Sequence, residues 1–178
     1  MRFAGAAYRA HNPRWSWTPL SGEGARIHGG RFNAKGTPAL YLALELNTAI
    51  VEFTQGFPFR LVPPVTIVSY AVDCDGLVDL TDMSERRRLG VTSAGMACPW
   101  KLLAETGRPV PSWIIADGLL AGGAAGIVVP SYSPGASADA QNLVLWDWSD
   151  ALPHQVTIHD PRGDLPRDDS SWRRRSRR

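Results

Sequence analysis

The stretch RIHGGRFNAKG, residues 26–36, places His28, Gly29, Gly30, Arg31, Asn33 and Lys35 within a few positions of one another. Adjacent glycines permit positive φ and let a ligand approach the backbone closely. The Arg31 guanidinium offers a planar fork of donors matched to a phosphate or a carboxylate. His28 and Asn33 add neutral hydrogen-bonding groups. The same composition also makes an ordinary turn, and the stretch by itself supports both readings.

A second candidate is Glu52, a lone carboxylate among Ala49, Ile50, Val51 and Phe53 in LNTAIVEFTQGF (46–57). A carboxylate is costly to bury unless it is paired. Glu52 therefore lies either on a solvent-facing stripe or in a cleft where an arginine or a ligand hydroxyl satisfies it. Glu45, one heptad earlier, shares its face if the helix reaches that far back. Tyr41 lies between the two candidates, in the strand-like run TPALYLAL (37–44). Alternation puts Leu40 and Leu42 on one face and Tyr41 with Ala39 and Ala43 on the other. That leaves room for a flat group to stack beside the ring, or for a core tyrosine with a satisfied hydroxyl. Ser131 follows Pro130 at a strand end, a place for a site residue or for a turn cap.

Other groups offer less chemistry. Asp73, Asp75, Asp79 and Asp82 lack calcium-loop spacing. His154 and His159, five apart on a strand, face opposite sides. Cys74 and Cys98 fit neither a disulfide framework nor a cysteine-based zinc site. No metal is expected.

The elements that must carry these residues follow from the pattern. Strands are expected at 3–10, 37–44, 65–73, 126–131, 141–148 and 154–160, with a short strand or turn at 76–82. Helices are expected at 46–57, with Gly56 as a stop, and at 99–106 and 111–121; ERRRL (85–89) reads as a solvated helix face. Residues 11–30 read as a polar loop carrying Trp15 and Trp17. Too few helices alternate with strands for a doubly wound fold, so the class is α+β with a mainly antiparallel sheet.

The chain of 178 residues reads as one domain over 1–160, followed by an Arg-rich, frayed tail over 161–178. SWRRRSRR holds five of the 19 basic residues, leaving 14 against 17 acidic ones in the body. The net charge of +2 thus reflects the tail, not a basic face. No apolar run is long enough to span a membrane and no signal peptide is evident, so a cytoplasmic protein without a membrane partner is expected.

In combination these residues resemble the RES domain, the toxin half of bacterial toxin–antitoxin pairs. The resemblance runs through Tyr8-Arg9, GEGARIHGGRFNAKG, ALYLA, NTAIVEF and VVPS (128–131), and extends to Asn142 in QNLVLW. The Arg, Glu and Ser that give the family its name fall on Arg31, Glu52 and Ser131, with Ser133 close by as the other serine. ELNT stands where such domains often carry a Ser-Pro type cap. The resemblance implies an ADP-ribosyltransferase-like fold with a split sheet and flanking helices. It implies NAD+ as substrate, cleavage of the nicotinamide–ribose bond, and a cognate Xre-type helix-turn-helix antitoxin that covers the NAD+ cleft.

On that implication Arg31, with Arg9 helping, clamps the diphosphate. Gly30 admits it to the backbone, with His28 and Asn33 alongside. Tyr41, or Trp15 or Trp17, stacks on the nicotinamide. Glu52 faces the ribose, and Ser131 binds an amide or hydroxyl. Glu52, Arg31 and Tyr41 form the catalytic set. ADP-ribose would pass to a cellular protein, with an NAD+ phosphorylase or glycohydrolase as the alternative. A nucleic-acid-binding module or ribonuclease toxin is the reading from a different class, and a catalytically dead interaction protein a third. The acidic body argues against direct nucleic-acid binding, which on the toxin reading would come only through the antitoxin.

Overall fold

The computed structural model describes residues 1–55, 57 and 61–172. The Gly56 helix stop and the basic run 173–178 lie outside the described residues. Seven strands form one sheet: β1 Phe3–His11, β2 Leu40–Ala43, β3 Thr66–Cys74, β4 Leu77–Asp79, β5 Gly126–Pro130, β6 Gln141–Leu145 and β7 His154–Ile158. Their order is β4-β5-β6-β2-β1-β3-β7. Only β4 and β5 run parallel; the other neighbours are antiparallel. The α+β, mainly antiparallel architecture agrees with the sequence pattern.

Alternation along the strands builds a core on each face. Leu40, Leu42, Val128, Leu143 and Leu145 join Val68, Tyr70 and Val72 on one side. Tyr41, Ile127, Val129 and Val144 join Phe32, Met96, Ala116 and Trp146 on the other. The second face is covered by helices: α4 Ser93–Met96 and α6 Pro111–Ala121 over the β4–β5–β6 half, with α2 Leu46–Thr54 packed on β1 and β2. The first face is closed by loop side chains, including Leu20, Trp148 and Leu165. Leu165 belongs to the segment expected to fray from residue 161. Its apolar side chain is instead packed against the core, and Asp160 accepts hydrogen bonds from the Asp164 and Leu165 amides.

Among the described residues the remaining α-helices are α3 Met83–Leu89, α5 Trp100–Glu105 and α1 Glu23–His28. The short α4 and α1 were not anticipated, and α1 occupies part of the expected polar loop. Its local signal is the Glu23–Arg26 pair three residues apart, a bidentate contact of 2.7 and 2.5 Å.

The sheet is joined across its middle by little. β1 pairs with β3 over nine residues and β2 with β6 over four, but β1 and β2 meet in register only at Tyr8↔Ala43. The two halves diverge beyond that pair, which is where the expected split lies. The opening exposes the helix-covered face between α2 and α5.

His11 closes β1 as a buried neutral imidazole. Its Nε2 lies 3.4 Å from Ser16 Oγ, and its buried Nδ1 has no hydrogen-bond partner among the described residues. Burial, aided by the nearby Arg9 charge, lowers its pKa from 6.5 to about 4. The unfolded chain therefore binds a proton first as the pH falls, and stability from this group drops between pH 6.5 and 4. Denaturant titrations across that window are expected to show wild type losing up to about 3 kcal/mol more than His11→Leu.

Candidate active site

A cleft of about 820 Å³ opens on the helix-covered face, lined by Gly29–Phe32, by Tyr41, Val129, Asn142 and Val144 from the sheet, and by Trp100, Lys101 and Tyr132. A smaller compartment of about 310 Å³, with Tyr8, Ala10, Leu42, Ala43 and Ala49 in its walls, adjoins it. Arg9, Tyr41, Glu52, Phe53 and Asn142 line both. The junction of the two compartments is therefore at Glu52, beside the split in the sheet.

Helix periodicity explains how Glu52 arrives there. Thr48 and Ala49 are the buried residues of α2, and Glu52 lies four and three positions after them on the same inner face. Of the two readings the sequence allowed, the structure shows the inward one. Glu45 is the N-cap residue immediately before α2 and is exposed. The half-buried carboxylate is satisfied by the sheet. Ser131 Oγ donates to Oε1 at 2.8 Å and Asn142 Nδ2 to the same oxygen at 2.5 Å. Among the described residues, Oε2 accepts only from the exposed Gln55 amide, at 3.0 Å.

Ser131 is thus the serine brought to Glu52. Ser133 lies in the cleft wall, its amide 3.3 Å from Ser131 Oγ, with its own buried hydroxyl unpartnered.

Arg31 lines the cleft and has structural duty as well. Its Nη1 donates to the carbonyls of Met96 and Cys98 at 3.2 and 2.8 Å, and its guanidinium lies 4.6 Å from the centre of the Tyr132 ring. The rest of the donor fork remains for an anion. Arg9, one residue past the single β1–β2 pair, is tied to the carbonyls of Pro19 and Ser21 at 3.2 Å each. Burial holds its pKa below the usual arginine value.

The residues around Arg31 also satisfy and make room for one another. A Cβ on Gly30 would overlap the Tyr41 hydroxyl and lie 2.5 Å from Asn33 Oδ1. Gly30 therefore makes room for the protein's own side chains. Asn33, expected beside the diphosphate, is buried: its amide nitrogen donates to the carbonyls of Ala25, Ala34 and Thr37, and its Oδ1 accepts from Tyr41. Tyr41 in turn accepts from the Phe32 amide at 3.0 Å, and burial pushes its phenol well above the usual range. Its hydroxyl is satisfied by protein, while its ring faces both compartments. Gly29, at φ 74°, is the position where the turn itself requires glycine. His28 is exposed at the end of α1 and lies outside the cleft lining, as do the exposed Trp15 and Trp17.

Three contributors had no strong sequence signal. Tyr132 and the Trp100–Lys101 pair come from regions read as loop and helix surface. Asn142 stood only as part of a family pattern; its place on the same strand face as Val144 was readable, its partner was not. Among the described residues no three His, Cys, Asp or Glu side chains form a metal-binding group. No helix among them is long and apolar enough to cross a membrane.

The family model described as the RES domain matches residues 6–168. Among solved structures, a chain of the crystal structure of the M. tuberculosis MbcT-MbcA toxin-antitoxin complex is similar in fold. Its TM-score is 0.58 at 21% sequence identity, covering 90% of this chain and 84% of that one. No curated protein matches the sequence.

The Asn33 network separates packing from binding. Asn33→Ala removes the acceptor of the Tyr41 hydroxyl and takes a donor from three carbonyls, of which those of Ala25 and Ala34 keep backbone partners. It is expected to cost about 2–4 kcal/mol in denaturant unfolding, measurable without any ligand.

Proposed function

The chain belongs to the RES domain family, and from that premise we propose that it is the toxin of a toxin–antitoxin pair that consumes NAD+. One observation carries this reading above the others. A half-buried carboxylate, Glu52, is held by fixed donors at the junction of two compartments, in a cleft that also presents Arg31 and Arg9. The main compartment, at about 820 Å³, lies within the range of ligand sites.

The chemistry fits those residues. Breaking the C1′–N bond of NAD+ sends both electrons to the ring nitrogen, so nicotinamide leaves neutral and needs no strong acid. Positive charge grows on the ribose, as in glycoside hydrolysis. Glu52, aimed at the ribose, opposes that charge and accepts a hydrogen bond from a ribose hydroxyl at Oε2. The acceptor's lone pair closes the new bond to C1′ and its proton passes to Glu52 or solvent. The guanidinium fork of Arg31 meets the diphosphate, with Arg9 adding positive charge at the sheet opening. The Tyr41 ring supplies a flat wall.

We take the acceptor to be a side chain of a cellular protein, by analogy with other enzymes of this fold; phosphate or water as acceptor would make the protein a phosphorylase or glycohydrolase. An antitoxin of the Xre type is the partner proposed to cover the cleft, and the cytoplasm, where NAD+ is abundant, the place of action. Support for the partner comes from the toxin-antitoxin complex in which the similar structure was solved.

Induced expression in a bacterium is expected to lower cellular NAD(H), leave ADP-ribose on protein and arrest growth. Glu52→Gln, equal in size, should accumulate to the same level and consume NAD+ at least about 100-fold more slowly. Unchanged NAD(H) together with no ADP-ribosylated protein, with wild type at full expression, would overturn the reading.

A further inference from the structure

Asn142 joins Glu52 to the interior of the sheet. It lies on β6 between β2 and β5, opposite Ala43 on one side and Val129 on the other. Both ladders fix its backbone, and its side chain reaches across to a helix 90 residues away in sequence to donate to Glu52 Oε1 at 2.5 Å. Ser131, the other donor to that oxygen, sits on the loop just after β5.

Two features set this contact apart from ordinary structural bonding. First, it is one-sided. The Asn142 carbonyl oxygen, Oδ1, is buried and accepts no hydrogen bond from any described residue. An unpaired buried acceptor costs about 1–3 kcal/mol, so a residue selected only for stability would be apolar here, as its strand neighbours Leu143, Val144 and Leu145 are. Second, it divides the two carboxylate oxygens. Oε1 takes both donors from the sheet, while Oε2 takes one from Gln55, an exposed side chain on the same helix as Glu52. Oε2 is left as the oxygen whose partner can be exchanged.

We infer that Asn142 is a positioning residue for Glu52: with Ser131 it pins Oε1 to the sheet and so presents Oε2 to the substrate, at a cost in stability. The inference rests on the NAD+-consuming reading, because the reaction supplies its readout. It acts through the orientation of a group that touches substrate, so its loss should lower turnover and leave binding in place.

The test uses the full chain, purified, with NAD+ as substrate and soluble bacterial protein and phosphate supplied as acceptors. Asn142→Ala is expected to lower kcat by about 30- to 100-fold, the scale of losing one preorganised donor. KM should stay within about twofold of wild type, and the melting temperature should be equal or higher, since the unpaired carbonyl goes with the donor. Asn142→Asp keeps the shape but sets a second carboxylate against Glu52, and should lower kcat further. It also serves if the alanine variant fails to fold. A variant that keeps wild-type kcat, or one whose lost activity comes with a clearly lower melting temperature, overturns the inference while wild-type turnover leaves the parent reading intact. No nicotinamide release by wild type overturns both.

Discussion

A carboxylate removed from water must find donors, and the arrangement around Glu52 follows from that need. Water satisfies an exposed glutamate; a half-buried one on the inner face of a helix has to be met by the element it packs against. Here that element is the centre of the sheet, which supplies a hydroxyl from the loop after β5 and an amide from β6. These contacts hold one carboxylate oxygen at the floor of the cleft, while α2 itself packs on β1 and β2. The weak joint between β1 and β2 permits this, because a fully zipped sheet would have no gap for two compartments to meet in.

The opposite wall is held by a second polar cluster that faces inward. Asn33, Tyr41 and the backbone of residues 25–37 satisfy one another, with Gly30 leaving the space they need. Arg31 follows directly in sequence and is further tethered through its Nη1 to the loop before α5. A loop with no regular structure thereby presents a guanidinium with little freedom, the condition under which a charged group stabilises an anion without reorganising. Trp113, donating its indole N–H to the Gly30 carbonyl at 2.8 Å, closes the support from behind.

Much of the frame was legible in the sequence because burial imposes strict periods. The strands alternate at period two, and α6 was expected over 111–121, the span it occupies. Glu52 could be placed on a helix but not on a side of it until Thr48 and Ala49 were seen to face inward. The harder failures came from residue types with two uses. Glycine, asparagine and tyrosine next to an arginine are what a phosphate cradle needs, and equally what a tight turn needs to satisfy its own carbonyls. His28 shows the limit of proximity in sequence: three residues from Arg31, it ends α1 in solvent. Asn142, which the sequence offered only as one letter of a family pattern, owes its importance to a partner 90 residues away. Local pattern carries no information about such a pairing.

The most direct test of the central claim is release of nicotinamide from NAD+ by the purified chain supplied with soluble bacterial protein and phosphate as acceptors, followed with label in the pyridine ring and compared with Glu52→Gln under identical conditions. The account predicts label appearing as free nicotinamide with wild type and at least about 100-fold less with the variant. Equal release by the two proteins, or none by either, would contradict it.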